Sequence, residues 1–391
     1  MKKYIMLLLG CAWFAGAGYA QKDFQKKIQS QLILAEPGAV IELPEGTFTL
    51  TNTLSLEGKN NITIRGKGMD KTILSFKNQT DGAEGIRVSN GSDIVLESFT
   101  VQDSKGDGIK TMSVNGISFN KVKAGWTGDP KAENGGYGLY PVQCQKVLID
   151  HCEATGASDA GIYVGQSADI IVRNSKAYRN VAGIEIENSL RAEVYDNEAF
   201  ENTGGILVFD LPDLVLKRGG QIKVYRNKVH DNNHVNFAPK GNIVAMVPSG
   251  TGLMILATKN VQVYQNQILN NQSFGTAIVS YFTTGKQVKD TAYDPFPSAI
   301  RIYDNVYERK PGTPVGTDPI ATVVGKTFGE QVPHIFFDGF KNPALLDGAG
   351  EWTAGNCISI SNNKGQSIAN LDVQNGFKNI ARADDAFKCA N

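Results

Sequence analysis

The sequence predicts an all-β solenoid, a parallel β-helix, on three observations. First, a glycine followed by a short apolar strand recurs. The copies read GIRV (Gly85), GIKT (Gly108), GLYP (Gly138), GIYV (Gly161), GIEI (Gly183), GILV (Gly205) and GLMI (Gly252), and the steps from Gly138 to Gly161, Gly183 and Gly205 are 23, 22 and 22 residues. A fixed period of this length marks a repeat that buries its apolar face only against its neighbours. Second, another strand follows each glycine strand, starting at Ile94, Ile117, Val147, Ile170, Ala192, Ile222, Val261 and Ile300. Its first and third positions are apolar or alanine, the period-2 mark of a strand with one buried face. Third, a short strand such as Glu153-Ala154 or Lys176-Ala177-Tyr178 closes each coil. Three strands in 22–23 residues is the arithmetic of a parallel β-helix.

Residues 1–20 read as a secretory signal peptide. Lys2 and Lys3 precede an apolar run, and Gly18-Tyr19-Ala20 supplies a small-x-small cleavage site before Gln21. Leu8-Leu9-Gly10-Cys11 offers a rival reading, a lipoprotein signal with Cys11 as the lipidated residue. Either way the protein is expected to be exported, with no transmembrane span. Gln25 to Leu34 has helical spacing, with Phe24, Ile28, Leu32 and Ile33 on one side. It is expected to cap the open end of the solenoid, whose bare core would otherwise template aggregation. The repeat then occupies the remainder of 21–305, and 306–391 is expected to be an irregular C-terminal cap or appendage. Val332–Phe336 and Cys357–Ile360 are the segments there that read as strands.

Within the repeat, Asn197, Asn227, Asn266 and Asn305 each lie five residues after the start of a second strand. Stacked coils superpose them at about 4.8 Å, so their amides are expected to hydrogen-bond along a column. The period is interrupted near Thr127–Gly136, Leu211–Gly220, Phe237–Gly250 and Thr283–Pro297. In a solenoid such inserts become loops beside the stack and often wall a groove. Cys357 and Cys389 lie where a disulfide would staple the C-terminus, while Cys144 and Cys152 are either a second bridge or two small buried side chains.

On these strands, corners and asparagines the sequence resembles the right-handed parallel β-helix repeat proteins of the pectin-lyase-like superfamily, over roughly residues 36–305. Pro37–Phe48 and the Ile64–Leu74 stretch look like the first coils of such proteins. The resemblance implies a right-handed parallel β-helix with an N-terminal capping helix. It also implies that the outer face of a strand stack cradles a polysaccharide.

Composition narrows the function. The chain carries 39 basic and 39 acidic residues without a Lys/Arg cluster, so nucleic acid is not an expected partner. Arg65-Gly66-Lys67-Gly68 lacks the third glycine and the βαβ context of a dinucleotide site, and His230 and His234, four apart in a turn, do not read as metal ligands. No cofactor or metal is called for. On each glycine strand the second and fourth positions after glycine are expected to face solvent. The second-position column reads Arg87, Lys110, Tyr140, Tyr163, Glu185, Leu207, Met254; the fourth includes Glu187 and Phe209.

This column suggests two chemistries. Proton abstraction at C5 of a uronic acid, by a lyase or epimerase, needs a cation for the sugar carboxylate and a proton-exchanging pair. Lys110 and Arg87 would be the cations, and Tyr140, Tyr163 or His151 would exchange the proton. Tyr137-Gly138-Leu139-Tyr140-Pro141 is faintly like the epimerase motif of tyrosine-glycine-x-aspartate-proline-histidine, with Tyr140 for the aspartate and Val142 for the histidine. Glycoside hydrolysis instead needs two carboxylates, for which Glu185 and Glu187 share a strand face and Asp159 and Asp210 flank them. The expected catalytic set is therefore Lys110, Tyr140, Tyr163, Glu185 and Glu187, with Arg87, Asp159, Asp210 and His151 binding substrate. The sequence reading places lyase or epimerase chemistry ahead of hydrolysis. A non-catalytic polysaccharide-binding or structural β-helix is the alternative.

Overall fold

The computed structural model describes residues 13–311, 318–384 and 386–389, with side chains from residue 23 onward. Cys11 and the basic start of the chain lie outside the described residues. Helix α1 (Trp13–Leu34) sits across the first coil, with Ile28 and Leu32 buried against it. Its polar side grips the first long strand: the Gln25 carboxamide accepts from the Thr51 amide at 2.9 Å, and Gln29 exchanges two bonds with Ser55. This end-on helix fits the expected cap. No described helix is long and apolar enough to cross a membrane.

The strands wind into a parallel β-helix. One sheet of twelve strands runs from Asn52–Glu57 through Ala160–Gly165, Ala182–Glu187 and Gly204–Phe209 to Ile368–Asn370, parallel until the final two-residue strand. It is the stack of the glycine strands. The second and third strands of each coil merge into one nineteen-strand sheet, because Ser92–Gln102 and Asn115–Gly125 are each long enough to run along both walls. The core lies between the sheets. Ile86, Ile109, Leu139, Ile162, Ile184 and Ile206, each one residue after a repeat glycine, point into it.

Polar ladders hold the corners together. Asn197 Nδ2 donates to Asn227 Oδ1 at 3.0 Å, Asn227 to Asn266 at 3.0 Å and Asn266 to Asn305 at 2.9 Å. The preceding residues Asp196, Arg226, Gln265 and Asp304 all adopt the left-handed backbone, at φ 52–56°. The turn leaves amides that only a side chain from the next coil reaches, and asparagine supplies both a donor and an acceptor. A second ladder, Asn180–Asn202–Asn232–Asn271, runs parallel to the first.

The strand stacking continues past residue 305. Ile335–Phe337 pairs with Phe274–Val279, and Ile358–Ser361 pairs with Ser298–Tyr303. Cys357 and Cys389 are joined in a disulfide. Cys144 and Cys152 are free and buried, which removes the second-bridge alternative. Helix α2 (Pro319–Phe328) lies against the outer face of the twelve-strand sheet, with Val324 fully buried among that face's apolar side chains.

Candidate active site

Strand register turns the second-position residues into a physical column. Arg87 pairs with Lys110, Lys110 with Tyr140, Tyr163 with Glu185, Glu185 with Leu207 and Leu207 with Met254. Leu139 pairs with Ile162, which sets Tyr140 beside Tyr163. All point away from the coil interior, but the expectation that they face solvent holds only at the Arg87 end. Arg87 is exposed, and Lys110 and Tyr140 are half-buried. From Tyr163 onward the face is covered. The inserts and α2 bring Val244, Val247, Tyr281, Tyr293 and Val324 onto Tyr163, Leu207, Phe209, Met254 and Leu256, making a second apolar core outside the solenoid. The physical reason is the apolar character of the column itself, which costs free energy when left in water.

Beneath this roof lie three acids. Glu185 is 2 %, Asp159 6 % and Glu187 9 % exposed. Tyr163 donates its hydroxyl to Glu187 Oε1 at 2.6 Å. Asn242, from the third insert, donates its amide to Asp159 Oδ2 at 2.9 Å, and the nearby Tyr137 hydroxyl tempers the rise of that carboxyl. Glu185 Oε2 is buried with no hydrogen-bond partner among the described residues. Burial raises all three carboxyls. Asp159 rises to about 7, pushed further by Glu187, and Glu185 rises well above the usual range through burial, Asp159 and Glu187. Burial raises Glu187 too, against the bond from Tyr163, which favours its ionised form.

Three tyrosines wall the acids on one side. The Tyr137 ring lies 4.4 Å from Tyr140 and 4.5 Å from Tyr163, and Tyr140 meets Tyr163 edge-on at 5.0 Å. Lys110 Nζ sits 4.7 Å over the Tyr140 ring and 4.0 Å from Asp107. Asp107 also accepts from the Tyr137 amide, and its burial raises it to about 6.

Lys110, Tyr140, Tyr163, Glu185, Glu187 and Asp159 are thus brought together. Asp210 stands at the corner after Gly204–Phe209, 4 % exposed, with Oδ1 unpartnered among the described residues and a carboxyl raised to about 7 by burial. Arg87 is two strands out from Tyr140. His151 is not part of the group: it occupies a left-handed corner of the nineteen-strand sheet, more than half exposed, with Nδ1 2.7 Å from an Asp150 carboxylate oxygen. His230 stacks on Phe200 and bonds to Glu198 and Asp231. No group of three or more described His, Cys, Asp or Glu side chains is arranged to hold a metal ion.

Three participants escape the column reading: Tyr137, Asp107 and Asn242. Tyr137 begins a third outward column that continues as Ala160, Ala182 and Gly204. That run of small residues behind a tyrosine was the available signal. Asn242 left none, because it arrives from 83 residues away.

The arrangement has the components for acid–base chemistry away from bulk water. Burial and its acidic neighbours raise one carboxyl well above the usual range, and a second, also raised by burial, accepts a tyrosine hydroxyl that offsets part of its rise.

The family model described as the right handed beta helix region matches residues 47–209 and 131–289. No curated protein matches the chain. Among solved structures, the A-module of the mannuronan C-5 epimerase AlgE4 from Azotobacter vinelandii is similar, with TM-score 0.50 and 15 % identity over 90 % of this chain and 91 % of that one. Full-length tailspike protein 2 of an Escherichia coli O157:H7 bacteriophage superposes with TM-score 0.50 and 13 % identity, over 87 % of this chain but only 43 % of the tailspike. Pectate lyase Pel9A gives TM-score 0.46 and 14 % identity over 71 % of this chain and 69 % of that one. At these identities the likeness is one of fold.

Proposed function

The chain belongs to the right-handed β-helix family, and on that scaffold we propose an exported, carbohydrate-active protein that cleaves glycosidic bonds of a neutral polysaccharide by paired-carboxylate acid–base catalysis. One observation carries the reading: the Asp159–Glu185–Glu187 cluster beneath the tyrosine wall. Buried carboxylates destabilise a fold unless paired. Among the described residues, Asp159 and Glu187 accept side-chain hydrogen bonds from Asn242 and Tyr163, neither cationic, and Glu185 Oε2 has no partner. A buried acid cluster whose carboxyls are raised by burial and by one another is an arrangement that active sites use to set proton affinities.

Glu185, which keeps its proton, is the general acid for the leaving oxygen. Glu187, whose carboxyl accepts the Tyr163 hydroxyl and so rises less through burial than it otherwise would, is the base or nucleophile. The two lie two residues apart on one strand face, with backbones about 6.5 Å apart, and so present both carboxyls to the same side of the sheet. Asp159 repels the charge on Glu185 and so helps it hold the proton. Tyr140 and Lys110, half-exposed at the rim, receive the sugar, the ring by stacking on C–H faces and the ammonium by bonding hydroxyls.

Uronate elimination or epimerisation is the second reading, supported by the adjacency of Lys110 and Tyr140. It ranks lower here because a substrate carboxylate would enter beside three acids, and Lys110 already faces Asp107. The disulfide Cys357–Cys389 supports an oxidising, exported location.

The test is a panel of neutral and uronate polysaccharides incubated with purified protein and with E185Q and E187Q. Reducing ends from a neutral polymer, lowered about 10²-fold or more in either variant, are expected. Unsaturated product or C5 proton exchange would move the assignment to the uronate reading. Retention on a polymer column without any product would leave the protein a binding module.

A further inference from the structure

Beyond the acids, the same outer face holds an apolar cavity of about 60 Å³. Phe209, Met254, Leu256 and Ala277 form its floor, and Ile243, Met246 and Val247 its roof. Ile320 of α2 and Leu371 close the sides. Thr283 and Thr284 also line it, with both hydroxyl protons committed elsewhere: Thr283 donates to Asp338 at 2.6 Å and Thr284 to the Tyr281 carbonyl at 2.7 Å, while Thr284 accepts from the Lys286 amide at 3.2 Å. The rest of the lining is aliphatic, aromatic or thioether, so the space offers an occupant mainly apolar contact and suits an apolar group better than a sugar or an ion. An apolar cavity too large to be filled by its own walls stays dry and accepts apolar guests. Met246, 41 % exposed, stands at the mouth.

Two features tie this cavity to the acids. Phe209 pairs with Glu187, and Met254 is two strands from Glu185, so the floor begins one strand spacing, about 4.8 Å, from the acid cluster. The roof is shared as well. Asn242, which holds Asp159, is followed directly by Ile243 of the cavity roof.

We propose that this cavity is a binding site for a short alkyl or acyl chain, carried as a substituent by the saccharide that occupies the acid cluster. The saccharide part rests on the glycosidase reading above; the chain-binding part does not. The substrate class that follows is an acylated or alkylated glycan, with the sugar beside Tyr140 and Glu185 and its apolar substituent beneath Met246.

The methionines offer a readout independent of catalysis. The protein is labelled with ¹³C-methyl methionine and titrated with 1-hexanol, then with hexyl and methyl glycosides of a set of neutral sugars. Saturable shifts of Met246 and Met254, without shifts of Met69 or Met112, are expected with hexanol. They should vanish in A277F, and in A277L should the larger side chain impair folding. No shift, equal shifts at Met69, Met112, Met246 and Met254, or undiminished shifts in the filled variants would overturn the site. At least one hexyl glycoside should act at about tenfold lower concentration than hexanol, with its methyl counterpart silent. Parity of every hexyl glycoside with hexanol would overturn the saccharide-borne part. Failure of the glycosidase reading would appear separately, as product formation unaffected in E185Q.

Discussion

Glu185 shows what one side chain contributes when its surroundings are withheld from water. On the sequence it is one of two glutamates on an outward strand face, a position that solvated carboxylates commonly fill. Covered by the roof and facing Asp159 and Glu187, it becomes a proton reservoir. The column of Lys110, Tyr140, Tyr163 and Glu185 was legible because a period of two fixes which side chains share a face. Their burial was not, since nothing in that period tells which insert folds over which coil. The raised carboxyls have a consequence for stability. Asp159 moves from 3.8 to about 7, so the folded chain holds a proton there that the unfolded chain releases. That contribution is present below the unfolded value and is lost as pH rises through about 7. The urea midpoint is therefore expected to fall between about pH 4 and pH 7, and D159N should flatten that slope. A wild-type midpoint independent of pH across this window would remove the argument.

At the scale of single elements, the asparagine ladders and the aromatic stacks divide the labour. Asn227 binds both its neighbours in the column and the Val194 carbonyl. N227L is expected to destabilise the fold by about 1–3 kcal/mol, because it leaves corner groups unpaired in two coils. Equilibrium unfolding measures this directly, and an unchanged midpoint would mean that the ladder is idle. The first ladder was legible from its spacing. The second was not recognised, although each of its members follows a position of the first column by the same five residues, as Asn202 follows Asn197 and Asn232 follows Asn227. On the nineteen-strand sheet, Tyr195, Tyr225, Tyr264 and Tyr303 stack face to face, with centroids 4.9–5.1 Å apart. Their faces are spent on each other, so this stripe offers edges rather than platforms and does not compete with Tyr140 as a sugar-binding surface.

Over the whole molecule, one end of the coil is plugged by α1 while the outer face is roofed by segments that grip one another. Lys217 pairs with Asp290 at 2.6 Å, and Lys286 bonds the Gly241 carbonyl at 3.0 Å, so three inserts act as one body. The capping role of α1 was legible from its one apolar side and its place before the first coil. The mutual grip of the inserts was not, because their contacts join residues 45 and 73 positions apart without any repeating pattern. Removal of residues 1–34 is expected to bare Ile41, Leu54 and Leu56 of the first coil and to turn a monodisperse protein into aggregates. Light scattering decides it, and a truncated chain that stays monodisperse would show that the plug is dispensable. The ladder has a wider consequence. Its successive members are separated by 30, 39, 39 and 58 residues, from Asn197 to Asn363, yet every rung closes at 2.9–3.0 Å. The coil thus registers its neighbours through a few fixed contacts and is indifferent to how much chain passes between them. Scaffold and chemistry are separable inheritances in such a molecule: a segment can be lengthened, exchanged or lost on the roofed side while the frame that would receive its replacement stays the same.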